Sequence, residues 1–188
     1  MIRVLALLGV LSVLLRAAPP YTGSKVCAVC HLKQAELHRD SRHAQALRPA
    51  AGSPMAERFI GKKIRERSGI EIEYLASDSP GAITARISRP GSPTPPVLAQ
   101  IEWAFGAGGQ AFTPVGRIDG EYFEHRLSWY ERANRLSLTP GQPAVPAEDE
   151  HFAVGVRQKP ATIARCFNCH ATNVQVNASG PVLDAMTP

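Results

Sequence analysis

Cys27-Ala28-Val29-Cys30-His31 and Cys166-Phe167-Asn168-Cys169-His170 repeat one arrangement: two thiols three positions apart, with an imidazole directly after the second. Together they use all four cysteines of the 188-residue chain. Covalent attachment of a haem requires this spacing. Two thiols add across the two vinyl groups of one porphyrin, and the adjacent histidine is then held beneath the iron. Exported cysteines also form disulfides, and four thiolates can hold a structural zinc. Neither chemistry gives a reason for a histidine after both pairs. The expectation is therefore two haem c groups, attached at Cys27 and Cys30 and at Cys166 and Cys169, with His31 and His170 as proximal iron ligands.

Two irons leave two further axial positions, and His38, His43, His125 and His151 are the remaining histidines. Met55 and Met186 are conceivable ligands, but neither lies in a context that identifies it. His38 follows His31 by seven residues, about two turns along the same side of a continuous helix. It cannot then reach the opposite face of the same haem, and reads as a surface or propionate-contacting residue. His151, beside Glu148-Asp149-Glu150, reads as solvated. His43 is free to reach a neighbouring haem, and His125 sits at the end of an expected hairpin; these two are the candidate distal ligands. Were one iron left open to peroxide or a nitrogen oxide, His38 or His125 would instead serve as acid or base beside it.

The elements that must position these groups are legible in outline. Met1-Ile2-Arg3 and the apolar run Val4 to Leu15 read as an export signal, too short for the roughly 20 apolar residues of a membrane-spanning helix. Cleavage is expected near Ala17 or Ala18, with an uncleaved N-terminal membrane anchor as the minority reading. Residues 31–47 carry helix formers and are expected to form a helix or a broken pair, ended by Pro49-Ala50-Ala51-Gly52-Ser53-Pro54. Ile70 to Leu75 and Ile83 to Ile87 alternate as strands, and Val97 to Phe105 is a third candidate. Phe112 to Ile118 and Tyr122 to Leu127 flank Asp119-Gly120, a hairpin signal. Residues 89–96 and 140–146 are proline-rich loops, and Thr162 to Ala171 is expected to be a short helix carrying the second motif.

This pattern predicts an α+β fold, with helical haem-binding ends flanking a small antiparallel β-rich insert. Residues 1–18 form the signal and 19–188 one two-haem domain, divided into 19–55, the insert 56–147, and 148–188. Loss of Arg3 and Arg16 with the signal takes the formal charge from +5 to +3. Four ionised haem propionates would bring the loaded protein to about −1, so the basic balance does not argue for nucleic acid. Arg58 to Arg67 reads as a solvated helical face, with a docking patch for an acidic redox partner as the functional alternative. Phe105-Gly106-Ala107-Gly108-Gly109-Gln110 lacks the lysine and hydroxyl of a phosphate-binding loop. It suits a tight turn or close backbone approach to a haem. No hydrolase constellation is evident.

Tyr21-Thr22-Gly23-Ser24-Lys25-Val26 before the first motif, and Ser41-Arg42-His43-Ala44 after it, resemble the opening of certain multihaem cytochromes c. These are relatives of the tetrahaem electron acceptor of hydroxylamine oxidoreductase. In that family the histidine of the Ser-x-His-Ala element typically ligates a haem other than the one it follows, which the resemblance transfers to His43. The resemblance runs from Tyr21 to Ala44; the surroundings of the second motif are less distinctive. The family usually has tryptophan where His38 stands here, and more than two haems. The chain is thus expected to be either a reduced two-haem member or the N-terminal part of a longer multihaem cytochrome.

The expected function is single-electron transfer between redox partner proteins, in the periplasm or on the exported side of a membrane. A haem enzyme of peroxidase or nitrogen-oxide reductase type, with one open iron, is the alternative. A module of a larger multihaem assembly is a third reading.

Overall fold

A computed structural model describes residues 23–79, 82–171, 174–177 and 180–182. The signal residues 1–18 and Met186 lie outside the described residues. The chain divides into two units after Ala35, each taken here by itself.

In the first unit, α1 (Ser24–Ala28) is little more than one helical turn. The amides of Cys30 and His31 both donate to the Cys27 carbonyl, at 3.3 and 3.0 Å. Helical geometry therefore continues through the motif, and positions i, i+3 and i+4 share one side. Cys27, Cys30 and His31 occupy those positions. The helix α2 (Leu32–Arg39) begins directly afterwards. Val29 between the two thiols is 83% exposed.

The second unit is dominated by strands: β1 (Leu47–Pro49), β2 (Lys63–Arg65), β3 (Glu71–Ala76), β4 (Ile83–Ser88), β5 (Val97–Phe105), β6 (Ala111–Ile118), β7 (Glu121–His125), β8 (Leu127–Tyr130), β9 (Arg135–Leu138) and β10 (Gly155–Arg157). These ten form one antiparallel half-barrel sheet in the order β10-β7-β6-β5-β4-β3-β2. β1 adds to β5, and β8 and β9 add through β6. Three short helices accompany the sheet among the described residues of this unit: α3 (Pro54–Phe59), α4 (Glu150–Val154) and α5 (Pro160–His170). A two-stranded hairpin follows, β11 (Gln175–Asn177) and β12 (Gly180–Val182).

This corrects the expected fold class. The sheet is the body of the molecule, and the haem-binding ends are not helical flanks to a small insert. Segments assigned to those ends join the sheet: Leu47 to Pro49 pair with Phe105 to Trp103, and Gly155 to Arg157 pair with His125 to Phe123. Backbone donors and acceptors along an open sheet edge need partners, and these short terminal strands supply them. Local propensity in a three-residue strand is too weak to announce this. Residues 63–65 are likewise a strand, although the basic run there suggested a helical face.

The central strands follow the expected positions closely. β4 buries Ile83, Ala85 and Ile87 and leaves Arg86 exposed, the alternation of a sheet with one covered face. Asp119 and Gly120 adopt φ 50° and 82° between β6 and β7, as a two-residue hairpin turn requires. The main core gathers Phe59, Ile72, Tyr74, Ile87, Ile101 and Val154, among others, between the sheet and α3 and α4.

One irregularity directs the rest. Ile101 pairs with Gly116 but Trp103 with Val115, so Glu102 is an extra residue in β5. A bulge of one residue reverses which face later side chains take. Ala99 and Ile101 enter the main core before it, and Ala104 does so after it. Trp103 and Phe105 turn to the other face, where Leu47, Tyr122, Ile163 and Phe167 form a second cluster. Glu102 is held at both ends: its carboxylate accepts from Arg117 at 2.6 Å, and its carbonyl from the Ala50 amide at 2.7 Å.

Candidate haem site

α5 carries the second motif and seats it against that cluster. Pro160 opens the helix at its first turn, where a missing N–H costs nothing. Ile163, Ala164 and Phe167 are its buried residues. With 3.6 residues per turn, Cys166, Cys169 and His170 share an adjoining face. All four thiols of the chain are free and exposed. Phe167, between the two cysteines, meets Trp103 and Phe105 edge-on, with ring centroids 5.5 and 5.2 Å apart. Phe105 also meets the His170 ring edge-on at 5.1 Å. The bulge in β5 thus supplies the aromatic wall behind this motif.

The Ser41-Arg42-His43-Ala44 element is brought to the same place. It is a compact turn in which the Ser41 hydroxyl accepts from the Ala44 amide at 3.2 Å and the Ala46 amide donates to the His43 carbonyl at 3.2 Å. The Ala46 carbonyl then accepts from Gly106 at 2.7 Å, tying the turn to the connection between β5 and β6. His43 on this turn is exposed. Partial burial, and then the charge of His43, lower the basicity of His170, while the Ala46 carbonyl acts in the opposite sense. The two thiols and the motif histidine therefore lie on one exposed helix face, and the turn that carries His43 is tied to the strand connection beside Phe105, the ring against His170. Cys166 has its pKa raised, by burial first and by the nearby Glu124 carboxylate second.

His125 is placed differently from the distal-ligand expectation. It is fully buried in the main core, with Nδ1 against the Val154 carbonyl and Nε2 2.6 Å from the Tyr74 hydroxyl. A carbonyl only accepts, so Nδ1 bears the proton and Nε2 accepts from Tyr74. Both nitrogens are thereby engaged, and neither is free for an iron. Burial pushes its pKa down to about 4. Met55 is likewise fully buried in that core. His38 lies on exposed α2, and exposed His151 lies in the first turn of α4.

The basic run is largely spoken for. Arg58 pairs with Glu131 at 2.8 Å, Lys63 with Glu71 at 2.7 Å, and Lys62 lies over the Trp129 ring. The glycine-rich stretch is the tip of the β5–β6 hairpin, consistent with a tight turn.

Fit to a haem can be judged on the residues themselves. The α5 face offers two free thiols and an imidazole in the required order, with an aromatic wall behind. The Trp103 Nε1 proton, buried in that wall, has no hydrogen-bond acceptor among the described residues. Among the described residues, no group of three or more His, Cys, Asp or Glu side chains is gathered to hold a bare metal ion. Phe105, Trp103 and Arg42 escaped sequence reasoning as site residues. Their only signal was proximity to the glycine-rich stretch and to His43. No family model, curated protein or solved structure matches the chain.

Proposed function

We propose that this chain is an exported c-type cytochrome that binds two covalent haems and passes single electrons between redox partner proteins. Cys27 and Cys30 would hold one haem with His31 as proximal ligand; Cys166 and Cys169 would hold the other with His170. The observation that carries the reading is the α5 face, which bears two free thiols and His170 in the attachment order and seats the His170 ring against Phe105. A haem c group bound there supplies one-electron exchange at its iron. His43 and His170 would fill both axial positions, leaving no site for an added ligand. Paired imidazoles also suit electron transfer because they need not exchange when the charge changes. Phe105 and Phe167 would exclude water from the edge of the site, and axial ligation and burial are levers on the potential. The resemblance of residues 21–44 to multihaem cytochromes supports the same assignment of His43.

The test is expression of the full chain with the cytochrome c maturation machinery. The intact mass is expected to include two haems. The His43→Ala variant is expected to convert one haem from low spin to high spin and to make it bind carbon monoxide. Retention of both haems with an unchanged low-spin spectrum would remove His43 from the iron. Carbon monoxide binding by the unsubstituted protein would favour the haem-enzyme reading, with the open iron at the first motif.

A further inference from the structure

The residue before His43 has its own setting. The Arg42 guanidinium lies against Gly109 at the tip of the β5–β6 hairpin, so close that a Cβ on Gly109 would stand 3.2 Å from Cζ and 3.2 Å from Nη1. That glycine is not at positive φ. What its missing side chain provides is room for the guanidinium. Nine ion pairs join described residues, and they engage Arg39, Arg58, Arg86, Arg117, Arg126 and Arg157 among others. Arg42 enters none of them and makes no side-chain hydrogen bond among the described residues. Among the described residues it is an unpaired, exposed cation against Gly109, on the turn that the Ala46 carbonyl ties to Gly106, next to the Phe105 ring that meets His170.

We propose that Arg42 is the anion anchor of the second site, pairing its guanidinium with a propionate of the haem held by Cys166, Cys169 and His170. The inference rests on the reading of that motif as a covalent haem site. A guanidinium matches a carboxylate with two parallel N–H donors. The short Ser41–Ala46 turn would then serve twice, His43 toward the iron and Arg42 toward the porphyrin edge. A fixed positive charge at the edge of the haem favours the reduced, less positive form.

The test uses the haem-loaded full chain and two variants, Arg42→Gln and Arg42→Lys. At a fixed applied potential, Arg42→Gln is expected to shift the reduced-to-oxidised ratio of one haem roughly three- to tenfold toward oxidised, as for a partly exposed charge pair. The affected haem is the one that becomes carbon monoxide-binding in His43→Ala. Its propionate bending band in the resonance Raman spectrum is expected to move as well. Arg42→Lys should retain part of the effect. An unchanged ratio and propionate band in Arg42→Gln, with both haems attached, would overturn the proposal. So would an effect confined to the salt dependence of electron exchange with a partner protein, which would make Arg42 a docking residue. An intact mass lacking the second haem in the unsubstituted protein would instead defeat the underlying reading of the motif.

Discussion

His125 donates from Nδ1 to Val154 and accepts at Nε2 from Tyr74 inside the main core, and this arrangement has a pH signature. Its neighbours there are the Tyr74 and Phe123 rings, with no carboxylate hydrogen-bonded to it, so nothing compensates a proton on the ring. The folded-state pKa, pushed down to about 4 from 6.5, means that the unfolded chain binds the proton first on acidification. Stability is therefore complete above pH 6.5 and is lost as pH falls toward about 4, by an amount on the order of 3 kcal/mol. Denaturant midpoints measured between pH 7 and 4 should show this decline. In His125→Gln the overall stability should be lower, but the decline between pH 6.5 and 4.5 should be much shallower. Equal slopes in the two proteins would assign the acid sensitivity to other groups. The same geometry explains why sequence reasoning offered His125 to an iron. A histidine at a strand end looks equally available whether its side chain points to solvent or into the core.

At the scale of elements, the connections hold more than their composition suggests. The proline-rich segment after Thr139 reads as a loop, yet it is strapped to the sheet. Arg126, only 4% exposed, donates to the carbonyls of Pro143 and Val145 and pairs with Glu66 at 3.1 Å. Gln142 donates to the Glu124 carbonyl at 3.0 Å and accepts from the Val156 amide at 3.2 Å. Removing one partner of a buried ion pair strands the other and any carbonyls it served. Arg126→Ala is expected to cost about 3 kcal/mol in chemical denaturation. Arg86→Ala, at an exposed pair with Glu73, should cost well under 1 kcal/mol. Similar losses in both variants would contradict the contrast in burial. The bulge at Glu102 is another element-scale device: it gives one strand two faces of use, Ile101 for the main core and Trp103 and Phe105 for the motif on α5.

For the molecule as a whole, the sheet draws all its strands from residue 47 onward, and the second motif and His43 lie in the same unit. A fragment of residues 36–188 is therefore expected to fold cooperatively with a strand-rich circular dichroism spectrum. Matured with haem, it should carry one haem, low spin and indifferent to carbon monoxide. A fragment that melts without a transition would show that residues 1–35 are needed for the fold. A fragment that folds but binds carbon monoxide would remove the His43 and His170 pairing.

The amino-acid sequence by itself determined the two Cys-x-x-Cys-His motifs, because their spacing is covalent and needs no tertiary context. It also located the central strands, whose alternation records one covered face, and the Asp119-Gly120 turn, whose backbone demands are local. The approach of His43 to His170 was implied by a family resemblance, not by residue spacing. Only the tertiary structure decided that the turn carrying His43 is tied to the strand connection beside Phe105, the ring against His170, that His125 spends both nitrogens in the core, and that short terminal strands complete the sheet. Each of these depends on long-range pairing and burial. Those are set when distant backbone edges find one another, and a local pattern does not encode them.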